Sequence, residues 1–130
     1  MRHMRLVSLT VVLALLEYAI LGLLVGRARG KYNVPAPATA GDPIFERYFR
    51  VHQNTMEQLV VFVPAIFIFA IYVHALVAAI FGLLFVVARP IYAMGYIKDP
   101  AKRATGAAIT FIVNGLLVLG SLVGIVVRAL

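Results

Sequence analysis

The 130-residue chain contains no cysteine, which excludes disulfides, thiolate metal ligands and a protein-borne thiol nucleophile. Any sulfur chemistry must therefore arrive with a substrate. Charge is nearly as scarce: 13% of the residues are charged, against roughly 25% in soluble domains. The three histidines, His3, His52 and His74, stand apart, and no H-x-x-x-H or E-x-x-H pair is present to organise a metal. No metal site is expected. The chain also lacks internal repeats and low-complexity segments.

What fills the sequence instead is apolar, with 63% hydrophobic residues and a mean hydropathy of +0.99. A soluble fold of this length could not hide so much apolar surface, whereas lipid-facing helices need not hide it. The chain reads as an all-α integral membrane protein, a single four-helix bundle over residues 1–130. A net charge of +7 would suit nucleic acid, but the basic residues sit in short loops beside apolar spans. Anionic lipid headgroups match that placement, and no nucleic-acid partner is expected.

Leu6 to Val25 is an apolar run broken by one charge, Glu17, and about 20 residues at 1.5 Å each cross a hydrocarbon core of about 30 Å. The run is longer than the apolar core of a typical signal peptide and has no clean cleavage site, so it reads as a retained first span. Gly26 to Pro43 combines glycine, proline and cations and is expected to form a loop. Asp42 before Pro43 is an N-cap and N1 pair that should start the second helix. From Leu59 to Ala88 only His74 interrupts the apolar residues. As one helix that stretch would be about 45 Å long, too long for one crossing, so a turn near Tyr72-Val73-His74 should fold it into a hairpin. Lys98 to Arg103 is a short basic turn before a last span. The expected helices cover about 6–26, 43–72, 75–98 and 103–128.

Four spans place both termini and the His74 turn on one side and the two longer loops on the other. The loop side and its flanks carry nine basic residues, from Arg27 to Arg103, against Arg2, Arg5 and Arg128 on the terminal side. By the positive-inside rule the loops face the cytoplasm.

The polar residues concentrate at Glu46-Arg-Tyr-Phe-Arg-Val-His-Gln-Asn-Thr-Met-Glu57. On a helix, Arg50, Asn54 and Glu57 share one stripe. Antiparallel packing should bring to the same depth Tyr92 and Tyr96, four apart on the third helix, and Arg103 at the start of the fourth. Ionised groups at membrane depth cost roughly 2.5–3.5 kcal/mol each on insertion scales. A structural use for them is open: Glu46 and Arg50 are i,i+4 partners, and the tyrosines suit an interfacial belt. Against it, Arg47, Arg50, Arg89 and Arg103 outnumber Glu46 and Glu57, and unpaired cations invite an anionic ligand. Glu17 reads either as a polar contact between helices or as part of the site, and Asn114 as interhelical glue.

Glu46-Arg47, Arg50, Asn54 and Glu57 follow an E-R-x-x-R-x-x-x-N-x-x-E pattern. Together with Tyr92-Ala-Met-Gly-Tyr96, Arg103 and Ala28-Arg-Gly-Lys-Tyr32, it resembles the membrane-associated proteins in eicosanoid and glutathione metabolism, the MAPEG family. Within that family Arg50 to Thr55 is most similar to the microsomal glutathione transferases. The resemblance implies a homotrimer with glutathione bound between subunits as co-substrate. Arg50, Asn54, Glu57, Tyr92 and Tyr96 would hold glutathione, Arg29 would reach in from the neighbour, and Arg103 would be catalytic, beside the thiol. The activity implied is a glutathione transferase, with peroxidase chemistry in reach, acting on a hydrophobic electrophile or lipid hydroperoxide from the bilayer. His52 and Gln58 stand where the eicosanoid-making relatives carry glutamine and tyrosine, and Gly30 replaces a second arginine. A general detoxifying role therefore fits better than leukotriene synthesis. The alternatives are a non-catalytic lipid- or fatty-acid-binding protein of the same fold, and a small channel, which the one-sided placement of the charges disfavours.

Overall fold

The computed structural model describes all residues, Met1–Leu130. It contains α1 (Arg2–Tyr32), α2 (Pro43–Tyr72), α3 (Ala75–Lys98), a 3-10 turn (Pro100–Arg103) and α4 (Ala104–Ala129). Each of the four helices is long and apolar enough to cross a membrane.

The first helix overruns its expected end at residue 26 by six residues. Gly26 and Gly30 each disfavour a helix by about 1 kcal/mol relative to alanine, but Arg27, Ala28, Arg29 and Lys31 are all strong helix formers, and the sum continues the helix. The stop lies at Asn33, which adopts the left-handed conformation (φ 55°, ψ 48°) that asparagine tolerates. The Asn33 and Val34 N–H groups both return to the Arg29 carbonyl, and Pro35 follows.

Local chemistry sets the other boundaries. Asp42 Oδ1 accepts from the N–H groups of Ile44 (2.9 Å) and Phe45 (3.0 Å), satisfying two of the unpaired donors at the start of α2, while Pro43 needs none. The long apolar run breaks at Val73 and His74. His74 does more than turn the chain, because its Nδ1 accepts from Val77 N–H at 3.3 Å and caps α3. Asp99 Oδ1 accepts from Ala101 N–H at 3.1 Å and opens the 3-10 turn into α4.

α2 and α3 form the centre of the bundle; α1 and α4 each pack on that pair rather than on each other. Val7 and Val11 of α1, Phe62 and Ile66 of α2, Phe85 of α3 and Leu117 of α4 meet in one buried cluster. The Phe62 and Phe85 rings stack at 3.9 Å within it. In lipid such contacts act through close packing rather than escape from water. Asn114 ties α4 to α2, its Nδ2 donating to Gln58 Oε1 (2.9 Å) and to the Gln58 carbonyl (3.2 Å). Leu23, Val60, Leu83, Phe111 and Val123 point outward, as a hydrocarbon solvent allows.

Candidate functional site

One face of α2 carries Arg50, Gln53, Asn54 and Glu57, spaced i, i+3, i+4, i+7, and it forms one wall of a cleft of about 300 Å³. Tyr92 and Tyr96 of α3 form another wall, and Arg103 closes it from the 3-10 turn. The fold thus gathers six residues singled out in the sequence: Arg50, Asn54, Glu57, Tyr92, Tyr96 and Arg103. It adds Gln53, which sequence reasoning missed although the same stripe contains it.

Two glycines let these elements approach. A side chain at Gly106 would meet the Tyr92 backbone nitrogen at 2.5 Å and its Cα at 2.6 Å, so α4 can lie against the Tyr92 main chain only without one. At Gly95 an added Cβ would stand 2.6 Å from the Lys102 carbonyl oxygen. That close approach brings the 3-10 turn onto α3 and delivers Arg103 next to Tyr96, with the guanidinium carbon 5.8 Å from the ring centre. The Tyr92 and Tyr96 rings are themselves 5.8 Å apart and tilted by 45°.

The surplus of cations expected around the cleft is smaller than the sequence implies. Arg47 donates to the Ile97 (3.0 Å) and Lys98 (3.3 Å) carbonyls at the C-terminal end of α3, where a cation suits both the free acceptors and the helix dipole. Arg89 is 2% exposed and sits inside the bundle. Only Arg50 and Arg103 line the cleft.

Arg89 occupies a socket built from three helices. Its Nη2 donates to Asn54 Oδ1 (2.9 Å) and Thr55 Oγ1 (2.8 Å), and its Nη1 donates to Thr110 Oγ1 (3.3 Å). Its guanidinium carbon lies 4.3 Å from the centre of the Tyr92 ring. Thr55 donates its own hydroxyl to the Val51 carbonyl (2.8 Å), and Thr110 donates to the Gly106 carbonyl (2.9 Å). Each hydroxyl proton is thereby committed, and only lone pairs face the guanidinium. Glu17 of α1 does not line the cleft. Its buried Oε1 and the Arg89 Nε have no hydrogen-bond partner.

Arg29 lies outside this cleft. Its Nη1 donates to the Val34 (3.2 Å) and Ala38 (2.6 Å) carbonyls, and its guanidinium carbon stands 5.0 Å from the Phe45 ring centre. It thereby holds the α1–α2 connection in place. His52 also faces elsewhere, stacked on Tyr18 of α1 with ring centres 4.3 Å apart. No cluster of three or more histidine or carboxylate side chains is placed to hold a metal ion.

The cleft offers two guanidiniums for anionic groups, one carboxylate for an ammonium, two carboxamides and two phenols. A small ligand with carboxylates at its ends and an amine beside one of them complements that set.

The model of the MAPEG family matches residues 7–123. An uncharacterized protein of Synechocystis sp. is 43% identical over 118 residues, covering 91% of this chain and 86% of that protein. The microsomal glutathione S-transferase 2 of Homo sapiens is 34% identical over 114 residues, covering 88% and 78%. The leukotriene C4 synthase of Mus musculus is 36% identical over 100 residues, covering 77% and 66%.

Proposed function

The chain belongs to the MAPEG family, and on that premise we propose that it is a glutathione-dependent membrane transferase with peroxidase capacity. The observation that carries this reading is the cleft in which Arg50, Asn54 and Glu57 of α2 face Arg103 across Tyr92 and Tyr96. Glutathione has two carboxylates, one amine and one thiol. Arg50 takes a carboxylate, Glu57 takes the ammonium, and the thiol lies toward Arg103.

The role of Arg103 follows from thiol chemistry. The thiolate is the nucleophile, and an ordinary thiol holds its proton up to a pKa of about 8.5. A fixed guanidinium favours the anion, and about 1.4 kcal/mol of such preference lowers a pKa by one. The thiolate then attacks a hydrophobic electrophile arriving from the bilayer, forming a carbon–sulfur bond as the leaving group departs. With a lipid hydroperoxide, two glutathione thiols are oxidised to the disulfide and the hydroperoxide is reduced to alcohol and water.

The subunits assemble as a homotrimer in this reading, and Arg29, which lies outside its own cleft, reaches toward that of a neighbour. The excess of basic residues on the loop side supports a cleft that opens to the cytoplasm. The departures at His52, Gln58 and Gly30 favour broad electrophile chemistry over leukotriene synthesis.

The test is glutathione binding by purified protein in micelles, with conjugation of an aryl halide and reduction of a fatty-acid hydroperoxide. Binding with either turnover supports the proposal. Protein that binds fatty acid but neither binds glutathione nor turns over would be a lipid-presenting member of the same fold.

A further inference from the structure

Among the cleft residues, Asn54 accepts a hydrogen bond from a buried charge. Arg89, 2% exposed, donates to its Oδ1 at 2.9 Å. A guanidinium has donors only, so the amide must present its oxygen to Arg89 and turn its NH2 group away, toward the cleft that Asn54 lines. Arg89 is in turn fixed by Thr55 of α2, Thr110 of α4 and the Tyr92 ring. The amide therefore cannot flip without leaving a buried guanidinium short of an acceptor, which costs more than an ordinary hydrogen bond is worth.

We propose that Arg89 is a positioning residue that locks Asn54 as a hydrogen-bond donor, so that position 54 requires an acceptor on the ligand, a carboxylate or a peptide carbonyl, and rejects an ammonium. The inference rests on the glutathione reading and sharpens it. Asn54 and Glu57, three residues apart on one face, then sort the ligand by sign: acceptor at Asn54, ammonium at Glu57. A free amide could serve either group and would let a zwitterion bind in two registers. The locked one admits a single register and holds the thiol on the Arg103 side.

The experiment is a double-mutant cycle on glutathione affinity, measured by equilibrium dialysis on the full-length protein in micelles. Arg89→Met should weaken binding about tenfold, the scale of one lost hydrogen bond to a charged group. In an Asn54→Ala background the same change should cost less than about twofold, because Arg89 acts through Asn54. Arg89→Lys, which keeps a donor, should recover part of the loss. Asn54→Asp keeps the partner of Arg89 but turns an acceptor to the cleft, and it should bind glutathione more weakly than Asn54→Ala.

Equal losses on Arg89→Met in both backgrounds would overturn the positioning role while leaving glutathione binding intact. Wild-type protein that binds no glutathione would overturn both readings. Should Arg89→Met fail to fold, Thr110→Val removes one anchor of Arg89 outside the cleft. The same non-additivity with Asn54→Ala is then required, and additive losses count against the proposal.

Discussion

The guanidinium carbon of Arg103 lies 5.8 Å from the centre of the Tyr96 ring, so the exposed cation at the end of the 3-10 turn stands beside the phenol at the mouth of the cleft. In the proposed reading Arg103 serves activation rather than binding. Arg103→Ala should leave glutathione affinity within about threefold, while turnover falls about 10²-fold, as when one preorganised charge-stabilising group is removed. Ultraviolet difference absorbance of the bound thiolate checks the cause: it should be present in the wild type and absent in the variant. A variant that keeps the thiolate signal would move activation to another group.

In the proposed reading Arg50 and Glu57, which both line the cleft, divide the ends of glutathione. Arg50→Gln and Glu57→Gln should each weaken glutathione by about 10- to 100-fold, corresponding to a charged hydrogen bond worth about 1.5–3 kcal/mol. N-acetylated glutathione, which has no ammonium, should bind wild type and Glu57→Gln alike. Unequal binding of that probe would reassign Glu57.

Gly106 lets α4 touch the Tyr92 backbone. Gly106→Val should lower stability by about 1–3 kcal/mol through overpacking and displace Tyr92 from the cleft. A lower thermal midpoint together with weaker glutathione binding is the expected pair of results. Unchanged affinity would mean that Tyr92 does not contact the ligand.

Asp42 offers a control far from the chemistry. Asp42→Ala leaves the Ile44 and Phe45 N–H groups without their cap and should cost about 1 kcal/mol of stability. The thermal midpoint should fall while glutathione affinity at saturating protein stability stays that of the wild type.

The cap at Asp42, the turn at His74 and the polar stripe of α2 were legible in the sequence because each is local: a side chain and a backbone group two to four residues away decide it. Gln53, which completes the same stripe, was missed, although its spacing of three residues from Arg50 was there to show it. The true end of α1 was harder, since glycines that read as punctuation are outweighed by Arg27, Ala28, Arg29 and Lys31, and a single left-handed residue, Asn33, sets the stop. The fates of Arg47 and Arg89 were not legible at all. Their acceptors lie 21 to 51 residues away in sequence, on helices whose rotation only packing fixes. Counting cations against acids treated both as free to meet a ligand, whereas one closes a helix end and the other is sealed inside the bundle.

The socket around Arg89 carries a consequence for biogenesis. Its acceptors come from α2 and α4 and its cation from α3, so no pair of helices satisfies all three, and a half-inserted chain exposes either a bare guanidinium or an unfilled ring of lone pairs to hydrocarbon. The three acceptors of Arg89 are therefore all met only when α2, α3 and α4 are packed together. The cleft has the same requirement, since its walls come from α2, α3 and the 3-10 turn, so it exists only in the finished bundle.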